Sequence, residues 1–193
     1  MTEAWYEAVE PSSPLTQGDL INACPLVGWT SQPITVEGGK EDEVLKGATA
    51  AVRADVVVMT QACDLEHNKV ANIILCPHLS LADYKRQWEE ASKQEGHNPT
   101  AKAWKTLCND IRDGFLWNLA ILNAAKIGDI TTEHRVVDFH EVFTIPRTFL
   151  ESLVQQRGLT RLRLLPPYRE HLSQAFARFF MRVGLPTPVA AAW

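Results

Sequence analysis

Two runs of mostly apolar residues lie close together in the first half of the chain, at Val52–Thr60 and Val70–Cys76. Both are rich in β-branched side chains, which predicts two strands. The nine residues between them, "QACDLEHNK", fit a hairpin-like connection. We therefore expect the two strands to lie side by side in one sheet, with a polar loop at the exit of the first.

A helical region follows the second strand. The stretch "SLAD" beginning at Ser80 matches the pattern in which a serine caps a helix and an acidic residue follows three positions later. Further along, Asn98 can cap a second helix with Pro99 in its first turn, and Gly114 ends it. The pattern predicts a helical insertion at about 82–121.

The helical periodicity is clearest near the end of the chain, between Pro167 and Gly184. One face of this predicted helix is apolar, so it must be buried against the sheet or against a second subunit. That face carries Tyr168, Leu172, Ala175, Phe176, Phe179, Phe180 and Val183. The opposite face carries Arg169, Gln174, Arg178 and Arg182.

The rest of the chain predicts shorter elements. These are a strand around Asp19–Leu26, a polar loop at Ile34–Thr49, a strand or packed segment in "FLWNLAIL", a strand in "RVVDFHEVFTI", and a short helix over Pro146–Gln156 with Phe149, Leu150 and Leu153 inward. We expect a single domain over 15–185, with flexible tails at 1–14 and 186–193.

Composition narrows the class of protein. The 193 residues are 46% hydrophobic and 22% charged, which is ordinary for a globular chain. The net charge of −4 and pI of about 5.9 lack the basic balance of a dedicated nucleic-acid binder. With no signal peptide and no apolar run of membrane-spanning length, the sequence predicts a soluble, cytoplasmic protein. Its four scattered cysteines are expected to be reduced thiols.

Cys63 is the first candidate for chemistry, because it follows a predicted buried strand. A nucleophilic cysteine needs a lowered pKa, and His67 and His78 are near in sequence. Asp64 and Glu66 would instead raise the pKa of the thiol. The pattern favours a structural or binding cysteine.

Metal binding is the second candidate chemistry. Cys63, His67, Cys76 and His78 supply the nitrogen and sulfur ligands of a tetrahedral zinc site. Neither ligand spacing is that of a standard zinc finger or ribbon, so the set is a weak candidate. We expect no metal and no other cofactor.

Charged residues offer two further interpretations. Asp64 at a strand end either caps the following turn or presents a carboxylate to a partner's arginine. The arginines of the last third either bind phosphate or form a solvated face and a charged strand edge. They are Arg157, Arg161, Arg163, Arg169, Arg178 and Arg182.

The order of elements resembles the MazF/PemK toxin family. Gly18-Asp19 opens a strand, "VRADVVVM" places Arg53 before an apolar strand, and "NIILCPHLS" ends a second one at Ser80. "VFTIPRTFLESLV" and the last helix are similar to the family's later elements. The resemblance implies a small SH3-like β-barrel, dimerisation and metal-independent RNA cleavage, with Arg53 and Ser80 acting at the scissile phosphate.

Several features depart from that family. The insertion is much larger, Ala54-Asp55 replaces the usual proline, and Ser80 can act as a helix cap instead. "TQACDLE" and "LLPPYREHLSQAFARFFMRVGLP" resemble a bacterial family with a Cys-Asp-Leu motif. MazF-like folds also occur in CRISPR-associated and other defence modules, where they can act as binding partners of sigma factors and proteases.

We therefore expect an α+β protein, an SH3-like (MazF/PemK-like) small β-barrel with a helical insertion and a C-terminal amphipathic helix. Its expected function is regulatory protein binding in bacterial stress or antiviral defence, with a sigma factor, protease or antitoxin-like partner. RNA and a second copy of the chain are the other partners considered, and a membrane is not expected. Recognition would use Gln61, Cys63, Asp64, Glu66, His67, Arg169, Arg178 and Arg182.

The alternative expectation is a sequence-specific endoribonuclease. In that reading Arg53 stabilises the charge that develops on the phosphate, and Ser80 assists through its hydroxyl. His67 or His78 would then be the acid or base.

Overall fold

A computed structural model describes residues 4–30 and 41–181. In this part of the chain the protein is a mixed α+β structure with a six-strand antiparallel sheet and six helices, which confirms the predicted α+β class. The pairings of the described strands do not close into a barrel. The chain divides into two compact units, Met1–His78 with Glu141–Leu164, and Leu79–His140 with Leu165–Trp193.

The strands, in chain order, are β1 Tyr6–Val9, β2 Leu20–Trp29, β3 Thr49–Val58, β4 Asn72–Ser80, β5 Leu119–Leu122, β6 Ala125–Ile127, β7 Ile130–Thr132, β8 Arg135–Asp138, β9 Phe143–Pro146 and β10 Arg161–Leu164. The helices are α1 Glu41–Gly47, α2 Ala62–Glu66, α3 Leu81–Gln94, α4 Ala101–Arg112, α5 Arg147–Arg157 and α6 Tyr168–Phe180. No helix in the described ranges is long and apolar enough to span a membrane.

In the first unit, β3 lies between β2 and β4, and β9 pairs with β4, all antiparallel. β1 pairs with β10, and an isolated bridge between Asp19 and Arg163 links β10 to the start of β2. The core of this unit is formed by apolar residues of these strands and of α5, among them Val56, Val58, Ile73, Leu75, Leu150 and Val154. β3 and β4 are adjacent, as the two apolar runs predict.

A β-bulge interrupts β2, because its register against β3 shifts between Ile21 and Cys24. Ala23 takes a φ of 46° and donates its backbone N–H to Oδ1 of Asp55 at 2.8 Å. Arg157 donates to the backbone oxygens of Asn22 at 2.6 Å and of Ala23 at 2.7 Å. Arg157 therefore stabilises the bulge by bonding its backbone carbonyls. This is a structural role for Arg157 and not the binding of a ligand.

Local details of the first unit differ from the sequence predictions. The connection between β3 and β4 contains a short helix, α2, and part of the predicted polar loop at Ile34–Thr49 forms α1, while residues 31–40 lie outside the described ranges. Phe149 is half exposed, so its predicted inward position is wrong. α5 instead buries Leu150 and Val154, which are one helical turn apart.

In the second unit, α3 and α4 pack through aromatic side chains. The ring centroids of Trp88 and Trp104 are 5.4 Å apart, and those of Tyr84 and Trp104 are 6.3 Å apart. Thr100 caps α4 by accepting a hydrogen bond from the N–H of Ala103, so the predicted cap at Asn98 is two residues too early. Both helices lie in the range predicted to be an insertion.

The strands of this unit are short. β5 pairs with β8, and β6 pairs with β7. The pattern "RVVDFHEVFTI" was predicted as one strand but contains two, β8 and β9, with Phe139 completely buried between them.

α6 packs its aromatic side chains against Phe139, with ring centroids 5.6 Å from Phe176 and 6.3 Å from Phe179. Leu172 is buried, as the helical spacing predicts, but Phe180 is 61% exposed, so its predicted burial is wrong. The predicted end of the helix, at Val183 and Gly184, lies outside the described residues.

Candidate functional site

The loop between β3 and β4 is compact because its two ends are bonded together. The hydroxyl of Thr60 accepts the N–H of Ile74 at 2.7 Å, and the carbonyl of Ile74 accepts the N–H of Met59 at 2.8 Å. α2 then projects from this closed base, and Leu65 anchors it by packing into the core of the first unit.

The far side of this loop is held from α5. Asn68 takes a left-handed φ of 54°, a conformation that asparagine tolerates better than most residues. Its side-chain oxygen accepts a hydrogen bond from Nη1 of Arg147, whose backbone N–H donates to Ala71 at 2.9 Å. The carbonyl of Asp64 accepts the N–H of Lys69 at 2.9 Å. The α2 loop, defined as Gln61–Ala71, is therefore fixed at both ends.

Of the predicted recognition residues, Gln61, Cys63, Glu66 and His67 are exposed on this loop and Asp64 is half buried. The loop thus brings this predicted set together on one short segment. Asp64 lies 4.0 Å from Nζ of Lys69, so its carboxylate faces a lysine of its own loop. Sγ of Cys63 lies 3.8 Å from oxygens of Gln61 and of Asp64, whereas an activated thiol needs a cationic neighbour.

The weak zinc candidates are not brought together. Cys76 and His78 are buried on β4, while Cys63 and His67 are exposed on the α2 loop. Among the described residues, no three or more His, Cys, Asp or Glu side chains are grouped closely enough to hold a metal ion. Cys24 is also buried, and this burial raises the pKa of its thiol, with the guanidinium of Arg157 opposing the shift in part.

Arg53 lies on an exposed face of the paired strands β2 and β3. Cross-strand partners point to the same side of a sheet. Arg53 pairs with Pro25, Ala51 with Val27, and Thr49 with Trp29. Val27 is 69% exposed and Trp29 is 73% exposed. We call the surface formed by Pro25, Val27, Trp29, Ala51 and Arg53 the Trp29 face.

Ser80 has two local hydrogen-bonding roles. Its hydroxyl caps α3 by accepting the N–H of Asp83 at 3.0 Å, and it donates to Oδ2 of Asp83 at 2.7 Å. The hydrogen bond from Ser80, followed by one from Arg86, lowers the pKa of Asp83 below its ordinary value. The predicted cap at Ser80 is therefore confirmed.

Two of the candidate phosphate-binding arginines serve a buried ion cluster instead. Asp19 has no exposed surface, and its carboxylate accepts from Nε of Arg161 at 2.9 Å and from Nε of Arg163 at 2.6 Å. The remaining N–H groups of Arg161 donate to the carbonyls of Glu10, Ser13 and Pro14. This cluster fixes the N-terminal segment against β2 and β10.

The remaining candidate arginines lie on α6 or beyond it in the chain. Arg169 pairs with the adjacent Glu170, with Nη2 and Oε1 2.7 Å apart. Arg178 is exposed on α6, and Arg182 lies outside the described residues. The predicted recognition set thus divides between the α2 loop in the first unit and α6 in the second.

Sequence reasoning missed the exposed aromatic residues. Trp29 stands at the end of the alternation of β2, where period-two counting marks Val27 and Trp29 as outward-facing. In the second unit, Phe115 and Trp117 follow the end of α4 and are 72% and 47% exposed. Two sequence signals could have found these residues. Trp29 is an aromatic residue at an outward position of a strand, and Phe115 and Trp117 are aromatic residues that follow a helix-ending glycine.

Comparison with protein-family models gives no match, and comparison with curated proteins gives no significant match.

Proposed function

We propose that this chain is a MazF/PemK-like regulatory module that binds a protein through the Trp29 face. The observation that carries the proposal is the exposure of Val27 and Trp29 on the same side of β2–β3 as Arg53. Tryptophan and arginine are the residues most enriched among the energetic centres of protein interfaces. Two large apolar side chains left in water on regular strands indicate a surface that is covered in the working state.

The arrangement of the first unit supports the MazF/PemK-like scaffold. β2, β3, β4 and β9 pair in turn, the Asp19–Arg163 bridge links β10 to β2, and α5 connects β9 to β10. A barrel-like curl of these strands is part of the proposal. Gly18-Asp19, one of the segments that carry the resemblance, directly precedes β2, and Asp19 lies in the buried ion cluster.

The residues of the Trp29 face indicate the chemistry of the partner that would bind there. An apolar strip with one guanidinium at its end fits a partner that offers an apolar pocket for Trp29 and a carboxylate for Arg53. Since MazF-like folds also occur as binding partners in bacterial defence modules, the proposed partner is a sigma factor, a protease or an antitoxin-like protein. The α2 loop, with exposed Glu66 and His67, is a second recognition element of the same unit.

Quantitative affinity capture tests this proposal. Tagged wild-type chain and the Trp29→Ser variant are incubated with nuclease-treated cell extract, and the recovered protein is identified and its Kd measured with purified material. We expect about tenfold or more weaker binding for Trp29→Ser, because a buried interface tryptophan contributes on that scale.

Phe149→Ser is the matched control for that experiment, because Phe149 is an exposed aromatic residue of the same unit on α5. It should leave binding unchanged. Recovery of RNA without any protein, or an equal loss in both variants, would count against the proposal.

The second candidate function is endoribonuclease activity. It is favoured by one observation, which is that Arg53 is exposed on the same face of β2–β3 as Trp29, and aromatic rings and guanidinium groups suit RNA bases and phosphates. It requires a hydroxyl from Ser80, which already bonds Asp83. Incubation of total RNA with wild type and Arg53→Ala separates the functions, since discrete cuts lost in the variant would establish the nuclease.

A further inference from the structure

A small open cavity lies in the second unit, directly after α4. Its volume is about 470 Å³, and it is lined by Phe115, Leu116, Trp117 and Asn118. The cavity is shallow and open, so it presents its side chains as a surface and does not enclose a ligand. Both aromatic side chains of this cavity are substantially exposed, so their rings are available to a ligand.

The backbone fixes the aromatic residues in this exposed arrangement. Gly114 ends α4 with a φ of 75°, and the next N–H, from Phe115, bonds the carbonyl of Asp110 at 2.9 Å. At the other end of the cavity, the carbonyl of Asn118 accepts the N–H of Phe139 at 2.8 Å. Leu116 packs into the core of the unit and anchors the segment between these bonds. The two outward rings are therefore held by a rigid turn.

A guanidinium lies at the Gly114 end of the cavity. A Cβ placed on Gly114 would lie 3.7 Å from Nη1 of Arg178, so this guanidinium is next to the backbone that leads into Phe115. Arg178 is exposed, and among the described residues no carboxylate forms an ion pair with it. The nearby acid Asp113 is already bonded to Arg112 at 2.8 Å.

The Asn118 end of the cavity carries hydrogen-bonding groups. Nδ2 of Asn118 lies 3.2 Å from Nδ1 of His140, and that histidine stacks edge-on against Phe179 with centroids 5.1 Å apart. Asp138 lies 3.2 Å from the same ring nitrogen. An amide and an imidazole thus meet at Asn118, and the guanidinium of Arg178 lies next to Gly114.

We propose that this cavity binds a nucleotide, with the base stacked on Trp117 and Phe115 and the phosphate held by Arg178. Stacking needs an exposed aromatic face, and phosphate needs a guanidinium that is not neutralised by a neighbouring acid. An apolar peptide would use the rings but leave the charge of Arg178 without a partner. The nucleotide comes either from single-stranded nucleic acid or from a free mononucleotide, and the chemistry at the cavity is the same.

Fluorescence anisotropy of the full chain tests the proposal with short labelled oligoadenylate and oligouridylate. Isothermal titration calorimetry with adenosine and uridine 5′-monophosphates tests whether the protein binds a free mononucleotide. We expect Trp117→Ala to weaken binding about tenfold, since one base stacked on an aromatic ring contributes on that scale. Trp117→Phe should restore most of the affinity, because it keeps an aromatic face.

The charge of Arg178 has its own measurement. Arg178→Gln should reduce the slope of log K against log salt by about 0.7, the value for one phosphate contact on a single strand. Phe149→Ala is the matched control, since it removes an aromatic residue of similar exposure from the other unit and should leave nucleotide binding unchanged. Circular dichroism verifies that each variant keeps its fold.

Three results would overturn the proposal. They are the absence of binding to every probe, equal binding by wild type and Trp117→Ala, and loss of binding in Phe149→Ala instead. If Trp117→Ala abolishes capture of a protein while no nucleotide binds, the cavity is a protein contact and the proposal is wrong. If the protein does not bind a nucleotide, the proposal that the Trp29 face binds a protein still stands, because the two tests measure variants in different units.

Discussion

At the scale of single residues, the most consequential side chain is the carboxylate of Asp19. A charge without any exposed surface is tolerated only where partners satisfy it, and Arg161 and Arg163 do so together. Neither arginine is then available to a phosphate ligand. The sequence offered both interpretations for these arginines, and a pairing across more than a hundred residues decided between them.

Removal of the Asp19 charge should therefore destabilise the protein strongly. Asp19→Asn keeps the shape of the side chain but leaves the buried guanidinium of Arg161 and the partly buried one of Arg163 without their shared carboxylate. We expect the free energy of unfolding, measured by urea denaturation, to fall by about 3–5 kcal/mol.

Glu151→Ala provides the control for Asp19→Asn, because it removes a half-exposed ion pair with Arg147 in the same unit. It should change stability by no more than about 0.5 kcal/mol. If the free energy of unfolding fell by a similar amount in the two variants, the buried ion cluster would contribute no more to stability than a surface ion pair does.

At the scale of elements, the helix caps show how much of the structure the local sequence can predict. The cap of α3 at Ser80 could be predicted because "SLAD" offers one hydroxyl and one acid at the right spacing. The cap of α4 was misplaced because Asn98 and Thr100 are both good caps, and only the folded chain selects the second. Phe149 was misplaced for a related reason, since a short helix has two apolar sides and the core covers only one.

The double role of Ser80 gives a prediction at this scale. Ser80→Ala should lower the free energy of unfolding by about 1 kcal/mol through the lost cap. It should also raise the pKa of Asp83 toward its ordinary value, because the hydroxyl that stabilises the carboxylate is gone. Urea denaturation and an NMR titration of the Asp83 carboxyl measure the two effects.

The sign of the pH dependence follows from the direction of that shift. Because the pKa of Asp83 is lowered in the folded chain, its stabilising contribution is complete above the ordinary pKa and is lost as pH falls through the lowered value. Thr100→Ala removes the other side-chain cap and should leave the Asp83 pKa unchanged. An unchanged Asp83 pKa in Ser80→Ala would contradict the assigned hydrogen bond.

At the scale of the whole molecule, the α+β class and the adjacency of β3 and β4 could be predicted, because apolar runs and short connections are local signals. The bulge in β2 could not, since Arg157 reaches its carbonyls from 134 and 135 residues away. The exposed aromatic residues of both units were also missed. The alternation of residues along a strand shows which face of the sheet a side chain lies on. It does not show which face the rest of the protein leaves exposed.

Site-specific photo-crosslinking in cells tests the proposal that the Trp29 face binds a protein and not RNA. A photoreactive residue replaces Ala51, which pairs with Val27 on that face. Ala50, exposed on the opposite face of the same strand and paired with Gly28, is the control position. We expect a nuclease-resistant protein adduct at 51 that is absent at 50 and is lost when Trp29→Ser is added. An adduct at 51 that nuclease removes, or equal protein adducts at both positions, would contradict the claim.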